Sequence, residues 1–138
     1  MALPTPVYLN PPPKYLLLFE IEGAGGPPLT ITPDTESTDP ANIPATRQFN
    51  PAGARCVEVY WDGDELPVGV TASLTFLRYD GIANKYIYVG RFSDVPPDTA
   101  VIVPTCLASR MAVLLTAMSD NEADAVRVHI AQAFEVYA

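Results

Sequence analysis

The sequence predicts an all-β fold, an antiparallel β-sandwich of jelly-roll or immunoglobulin-like kind entered through an extended N-terminal arm. Three observations lead there. Short runs rich in Val, Ile, Leu, Thr and Tyr recur along the chain with polar, Gly- and Pro-containing turns between them, the rhythm of strands in a sandwich. The 15 prolines among 138 residues, about twice ordinary usage, cluster at 4–13, 27–51 and 96–104 and interrupt any long helix. Hydrophobic residues make up 49% against 17% charged, enough apolar side chain to build the core of one domain.

The first thirteen residues, MALPTPVYLNPPP, carry five prolines. Such a segment is stiffened toward polyproline II, so laying it along a neighbour costs little ordering entropy, and Val7, Tyr8 and Leu9 supply apolar anchors. The single domain then spans 14–138. YLLLFEIE (15–22) reads as a strand ended by GAGGPP; that turn lacks the GxGxxG spacing and precedes prolines, so it cannot offer a helix N-terminus to phosphate. PLTIT (28–32) adds a short strand. The segment 33–53, PDTESTDPANIPATRQFNPAG, is a long polar loop expected to reach outward or clasp a neighbour.

ARCVEVYW (54–61) is the next strand, ended by DGDELP. In VTASLTFLRYD (70–80), Ala72, Leu74 and Phe76 alternate with Thr71, Ser73 and Thr75, a period of two. DGIAN turns the chain into KYIYVGRF (85–92), a run that resumes with Ile87 and Val89 between Lys85 and Arg91, making a hairpin. SDVPPD breaks the ladder, and TAVIVP (99–104) is a short strand closed by Pro104. RMAVLLTAM (110–118) and AVRVHIAQAF (125–134) flank the turn SDNEAD. Helix competes in this last region, and the alternation of Val126, Val128 and Ile130 with Arg127, His129 and Ala131 decides for strand, one face on the core and one toward water or a partner.

The chemistry the sequence offers is sparse. A formal net charge of -8 with only eight Lys and Arg opposes binding to nucleic acid, which needs cations to displace counterions. Cys56 and Cys106 stand fifty apart with no CxxC, and the expectation is two buried free thiols. MALPTP carries no basic leader and LLLF (16–19) is too short to span a bilayer, so synthesis in a cytoplasm without a membrane partner is expected. His129 is the only histidine, which denies one chain a multi-histidine metal site or a spare base. Asp62, Asp64 and Glu65, and Asp120, Asn121, Glu122 and Asp124, could supply oxygens to calcium but lack EF-hand spacing and read as solvated turns. No cofactor, metal or catalytic residue is therefore expected. The aromatics Tyr60, Trp61, Tyr79, Tyr86 and Tyr88 suit either sheet packing or an interface.

The stretch from 55 to 136, with its order of VTASLTFLRYD, KYIYVG, RMAVLLTAM and VRVHIAQAF, resembles the small β-sandwich virion proteins of tailed bacteriophages, of the capsid decoration or cement type. The resemblance implies a non-enzymatic structural protein on the capsid exterior, bound to the major capsid protein and self-associating as a homotrimer or other small oligomer. An acidic exterior is compatible with a shell whose inside holds DNA. The interface residues expected on this reading are Val7, Tyr8 and Leu9 in the arm, Tyr86 and Tyr88 on a sheet face, and Arg127 and His129 on the last strand. Its rivals are a carbohydrate- or receptor-binding module in which Tyr60, Trp61 and Tyr79 stack on sugars, and a tail or head-completion ring protein.

Overall fold

Alternation along the last strand sets the plan of the molecule. Val126 and Val128 are fully buried, whereas Arg127 and His129 point away from them, so this strand covers a core with one face only. The computed structural model describes residues 15–26, 28–106 and 108–133. Within them lie β1 (Leu16–Glu22), β2 (Gln48–Phe49), β3 (Cys56–Asp64), β4 (Ala72–Asp80), β5 (Lys85–Val95), β6 (Val101–Pro104), β7 (Met111–Met118) and β8 (Ala125–Ala133), with single-turn 3-10 helices at Pro40–Asn42 and Ala45–Arg47. They form two four-stranded antiparallel sheets, ordered β1-β8-β3-β6 and β2-β7-β4-β5. This is the sandwich the sequence predicts. Each predicted strand is present, except that PLTIT contributes only isolated bridges from Thr30 to Ala24 and Glu122.

After β3, only β4 and β5 follow one another within one sheet; the connections β3 to β4, β5 to β6, β6 to β7 and β7 to β8 each pass between sheets. The space between them is filled by Val57, Val59 and Trp61 from β3, Val126 and Val128 from β8, Leu74 and Phe76 from β4, and Val113 and Leu115 from β7. β7 is buried on both faces: Met111 to Leu115 have no exposed surface, which is why MAVLL reads as an unbroken apolar run whose period is hard to see.

The second face of β7 is covered by the 33–53 segment, which does not reach outward as its composition suggests. It folds back over its own sheet. Ile43 packs with Leu77, Tyr86, Ala112 and Leu114 in a second apolar cluster, and β2, Gln48–Phe49, adds an edge strand to β7. Asp34 ties the segment down: its backbone N–H donates to Leu115 O at 2.7 Å, and its carboxylate accepts from Leu115 N–H at 3.1 Å and from Arg47. Glu36 pairs with Arg91 and accepts from the buried Thr75 hydroxyl. Enough carboxylate, apolar and backbone partners lie within the segment to bury it, so a polar composition does not translate into a free loop.

One local expectation fails. Cys56 is buried, and burial pushes its thiol upward, but Cys106 is exposed, in a turn at φ 50° beyond the end of β6.

Candidate protein interface

The 33–53 segment covers the outer face of the second sheet over Leu77, Tyr86, Ala112 and Leu114; among the described residues no segment covers the outer face of the first sheet, the bare face of the sandwich. On this bare face β8 presents Arg127 and His129, and β3 presents Glu58, Tyr60, Asp62 and Asp64, because these residues alternate with the core-facing Val57, Val59, Trp61, Val126 and Val128. Register places Tyr60 opposite His129, Asp62 opposite Arg127, and Glu58 between Ala131 and Ile102 of β6. On the other side β1 sets Leu17 beside His129 and Glu20 beside Arg127. A register shift between Leu17 and Phe19 lets both Leu17 face outward and Phe19 face the core, the effect of an extra residue in one strand.

Arg127 organises the charged half of the face. Its Nε donates to Asp62 Oδ1 at 3.0 Å, its Nη1 and Nη2 donate to the two Asp64 oxygens at 3.0 and 2.8 Å, and Nη1 reaches Glu20 Oε2 at 3.5 Å. The forked guanidinium suits this geometry better than an ammonium would. The hydrogen bond from Arg127 holds the Asp64 carboxyl below its ordinary range despite some desolvation, and the same contact with Asp64 pushes the guanidinium's own proton affinity up. His129 Nε2 lies 3.0 Å from Asp62 Oδ2, so the second Asp62 oxygen is also engaged. Two acids of DGDE that could have served calcium, Asp62 and Asp64, are thus turned onto β8, while Glu65 is not.

The apolar half is aromatic. The His129 ring stacks on Tyr60 with centroids 4.5 Å apart and 13° between planes, and Tyr15 meets Tyr60 edge-on at 4.8 Å, the arrangement the ring quadrupole favours. Tyr15 donates its hydroxyl to Glu58 at 2.5 Å. Leu17, 55% exposed, and Ile102, 57% exposed, flank this row. Burial, and then the hydrogen bond to Glu58, push the Tyr15 phenol up to about 12. Because the folded value lies above the ordinary one near 10, the stabilisation is complete below about pH 10 and is lost as pH rises through about 12. In alkaline difference spectroscopy one tyrosine should therefore titrate near 12 and vanish in Tyr15→Phe. In Glu58→Gln it should titrate lower but stay raised, since burial remains; an unmoved titration would break the link to Glu58.

Of the residues expected at an interface, Arg127 and His129 do share the exposed side of β8. Val7, Tyr8 and Leu9 lie outside the described residues. Tyr86 requires correction: it is 1% exposed, sealed beneath the 33–53 segment with its hydroxyl donating to Gln48 and its backbone N–H to Thr38 O. Tyr88, on the same face of the second sheet, is half exposed. The sugar-stacking trio also disperses. Trp61 is fully buried with Nε1 donating to Val95 O at 2.9 Å, Tyr79 lies under the Arg110 guanidinium at 4.1 Å, and Tyr60 is occupied by His129 and Tyr15. Tyr15, Leu17 and Ile102, exposed on this same face, are not among the residues the sequence points to. The parity of Glu58 and Tyr60 against Val57, Val59 and Trp61 was the signal for the bare face, but the register shift that turns Leu17 outward has none.

Fold and site together define a β-sandwich with one outer face covered by its own chain and one that the described residues leave bare, aromatic at one side and ionic at the other. No family model, curated protein or solved structure matches the chain.

Proposed function

We propose that this chain is a structural assembly module of the capsid-decoration kind, which docks on the outside of a phage shell through the outer face of its first sheet and makes or breaks no bond. One observation carries this reading: the 33–53 segment covers an apolar cluster on the outer face of one sheet, whereas on the other Tyr15, Leu17 and Ile102 are left exposed among the described residues. Apolar and aromatic groups within a charged surround are the usual anatomy of a protein interface. The ion-paired Arg127 and the stacked His129 hold that surface rigid before binding, which lowers the ordering cost of docking. Tyr15 stands on this same face directly after the proline-rich arm, so the arm and the face would bind one partner together.

The test is co-sedimentation of the purified protein with capsids from a phage lysate that lacks it. Binding should fall at least tenfold in Leu17→Asp/Ile102→Asp, which changes exposed side chains only, and fall again when the chain starts at Lys14. Capsid binding untouched by the double substitution would remove the first sheet from the contact. No binding by the full chain would remove the decoration reading.

A further inference from the structure

Among the described residues, the cations without an ion pair gather at one strand end. β3 begins where β6 and β8 finish, and β4 finishes where β5 and β7 begin; the 105–110 connection joins the two sheets at that same end. There lie Arg55, Arg78, Lys85 and Arg110, none of which is ion-paired among the described residues, whereas Arg47, Arg91 and Arg127 are. The opposite end, roughly 26 Å away along the nine residues of β4, is acidic. An open groove of about 640 Å³ lies there, lined by Leu29, Leu66 and Pro67 with Glu65, Glu122 and Asp124. None of these acids has a cationic partner among the described residues.

The basic end also carries an apolar projection. Ile82, at the tip of the β4–β5 hairpin, is fully exposed. Its turn is preformed, since Asp80 Oδ1 accepts from the backbone N–H groups of Ile82 and Ala83 and Tyr79 bonds Asn84. A preformed apolar tip with Lys85 at its base, across the ladder from Asp80, on one end has its counterpart on the other in a groove that combines apolar Leu29, Leu66 and Pro67 with unpaired acids.

We propose that copies of this chain associate head to tail, the β4–β5 tip of one copy entering the acidic groove of the next, with Ile82 against Leu29, Leu66 and Pro67 and Lys85 facing Glu122 and Asp124. Groove to groove would oppose unpaired acids, and a tip, where Asp80 lies across the ladder from Lys85, offers a second tip no acidic apolar groove to enter, so the head-to-tail pairing is the better matched of the three. The overall charge of -8 does not forbid it, because at physiological salt charges beyond about 8 Å are screened and each contact feels mainly the two ends that meet. Such a heterologous contact closes into a ring if the rotation between copies permits and otherwise extends as a filament. It leaves the outer face of the first sheet free and stands or falls independently of the docking proposed there.

Analytical ultracentrifugation tests it with two variants altered only at exposed positions, a tip variant Ile82→Gln/Lys85→Gln, neutral and polar so that it suits neither groove, and a groove variant Glu122→Lys/Asp124→Lys. The unaltered protein should form species larger than a monomer at about 0.05 M salt and return to monomer at about 0.5 M. Each variant alone should be monomeric at the lower salt. Mixed, they should give a one-to-one dimer and nothing larger, because one intact tip meets one intact groove and the remaining ends are blocked. An unaltered protein that stays monomeric up to its solubility limit, a variant that still associates alone, or a mixture that stays monomeric would each overturn the proposal.

Discussion

Replacing Trp61 by alanine is expected to lower the unfolding free energy by about 4 kcal/mol, the usual scale for emptying a buried indole site. Trp61 has no exposed surface, and it joins the two sheets. It stands on β3 of the first sheet, its Nε1 donates to Val95 O at the end of β5 in the second, and its own carbonyl accepts from Asp98 N–H at 2.8 Å. Truncation removes the packing of the ring and strands the Val95 carbonyl in the core. Trp61→Phe keeps most of the volume and loses the hydrogen bond, so it should cost about 1–3 kcal/mol. Urea titration monitored by circular dichroism measures both, and an unchanged slope would assign the loss to native-state stability. Against a typical total of about 5–15 kcal/mol the alanine variant should be visibly impaired in folding. A loss under about 1 kcal/mol would mean that the indole does not bridge the sheets.

The features that sequence reasoning reaches are those written in period two. Val126, Val128 and Ile130 against Arg127 and His129, and Ala72, Leu74 and Phe76 against their polar neighbours, announce strands with one buried face, and the structure buries those faces. What escapes is whatever depends on contacts distant in sequence. Tyr86 alternates like an outward residue of an edge strand, yet it is buried because a segment some forty residues earlier, around Thr38, Ile43 and Gln48, closes over it. Leu17 turns outward through a register shift that no local pattern encodes. The bare face was half legible: Arg127 and His129 are found by parity, whereas their partners Asp62, Asp64, Glu20 and Tyr60 become neighbours only when β1, β8 and β3 align. The gathering of unpaired cations at one end is likewise invisible until topology brings Arg55, Lys85 and Arg110 together.

Asp34→Ala should destabilise the protein by about 3–5 kcal/mol, the scale for removing one partner of a buried pair, and should uncover the second sheet. The Asp34 side chain is 8% exposed and that of Arg47 13%. Arg47 directs Nε and Nη2 to the carboxylate at 3.0–3.2 Å, while its guanidinium lies 3.9 Å over the Phe19 ring of β1. The pair therefore links β1 of one sheet to β7 of the other across the open side of the sandwich. Without Asp34 the guanidinium is left in a half-dry site and the Leu115 N–H loses its side-chain acceptor. The 33–53 segment should then detach, exposing Leu77, Tyr86 and Leu114, so the variant should bind a hydrophobic dye and be cut by protease within the segment. Asp34→Ala/Arg47→Met, which removes both charges and keeps an apolar stem over Phe19, should recover part of the loss, because the cost lies in the orphaned charge more than in the missing attraction. If instead Asp34→Ala leaves the segment resistant to protease, then Ile43 and Tyr86 hold it without the ion pair, and the cover that distinguishes the two faces of this sandwich is hydrophobic in origin.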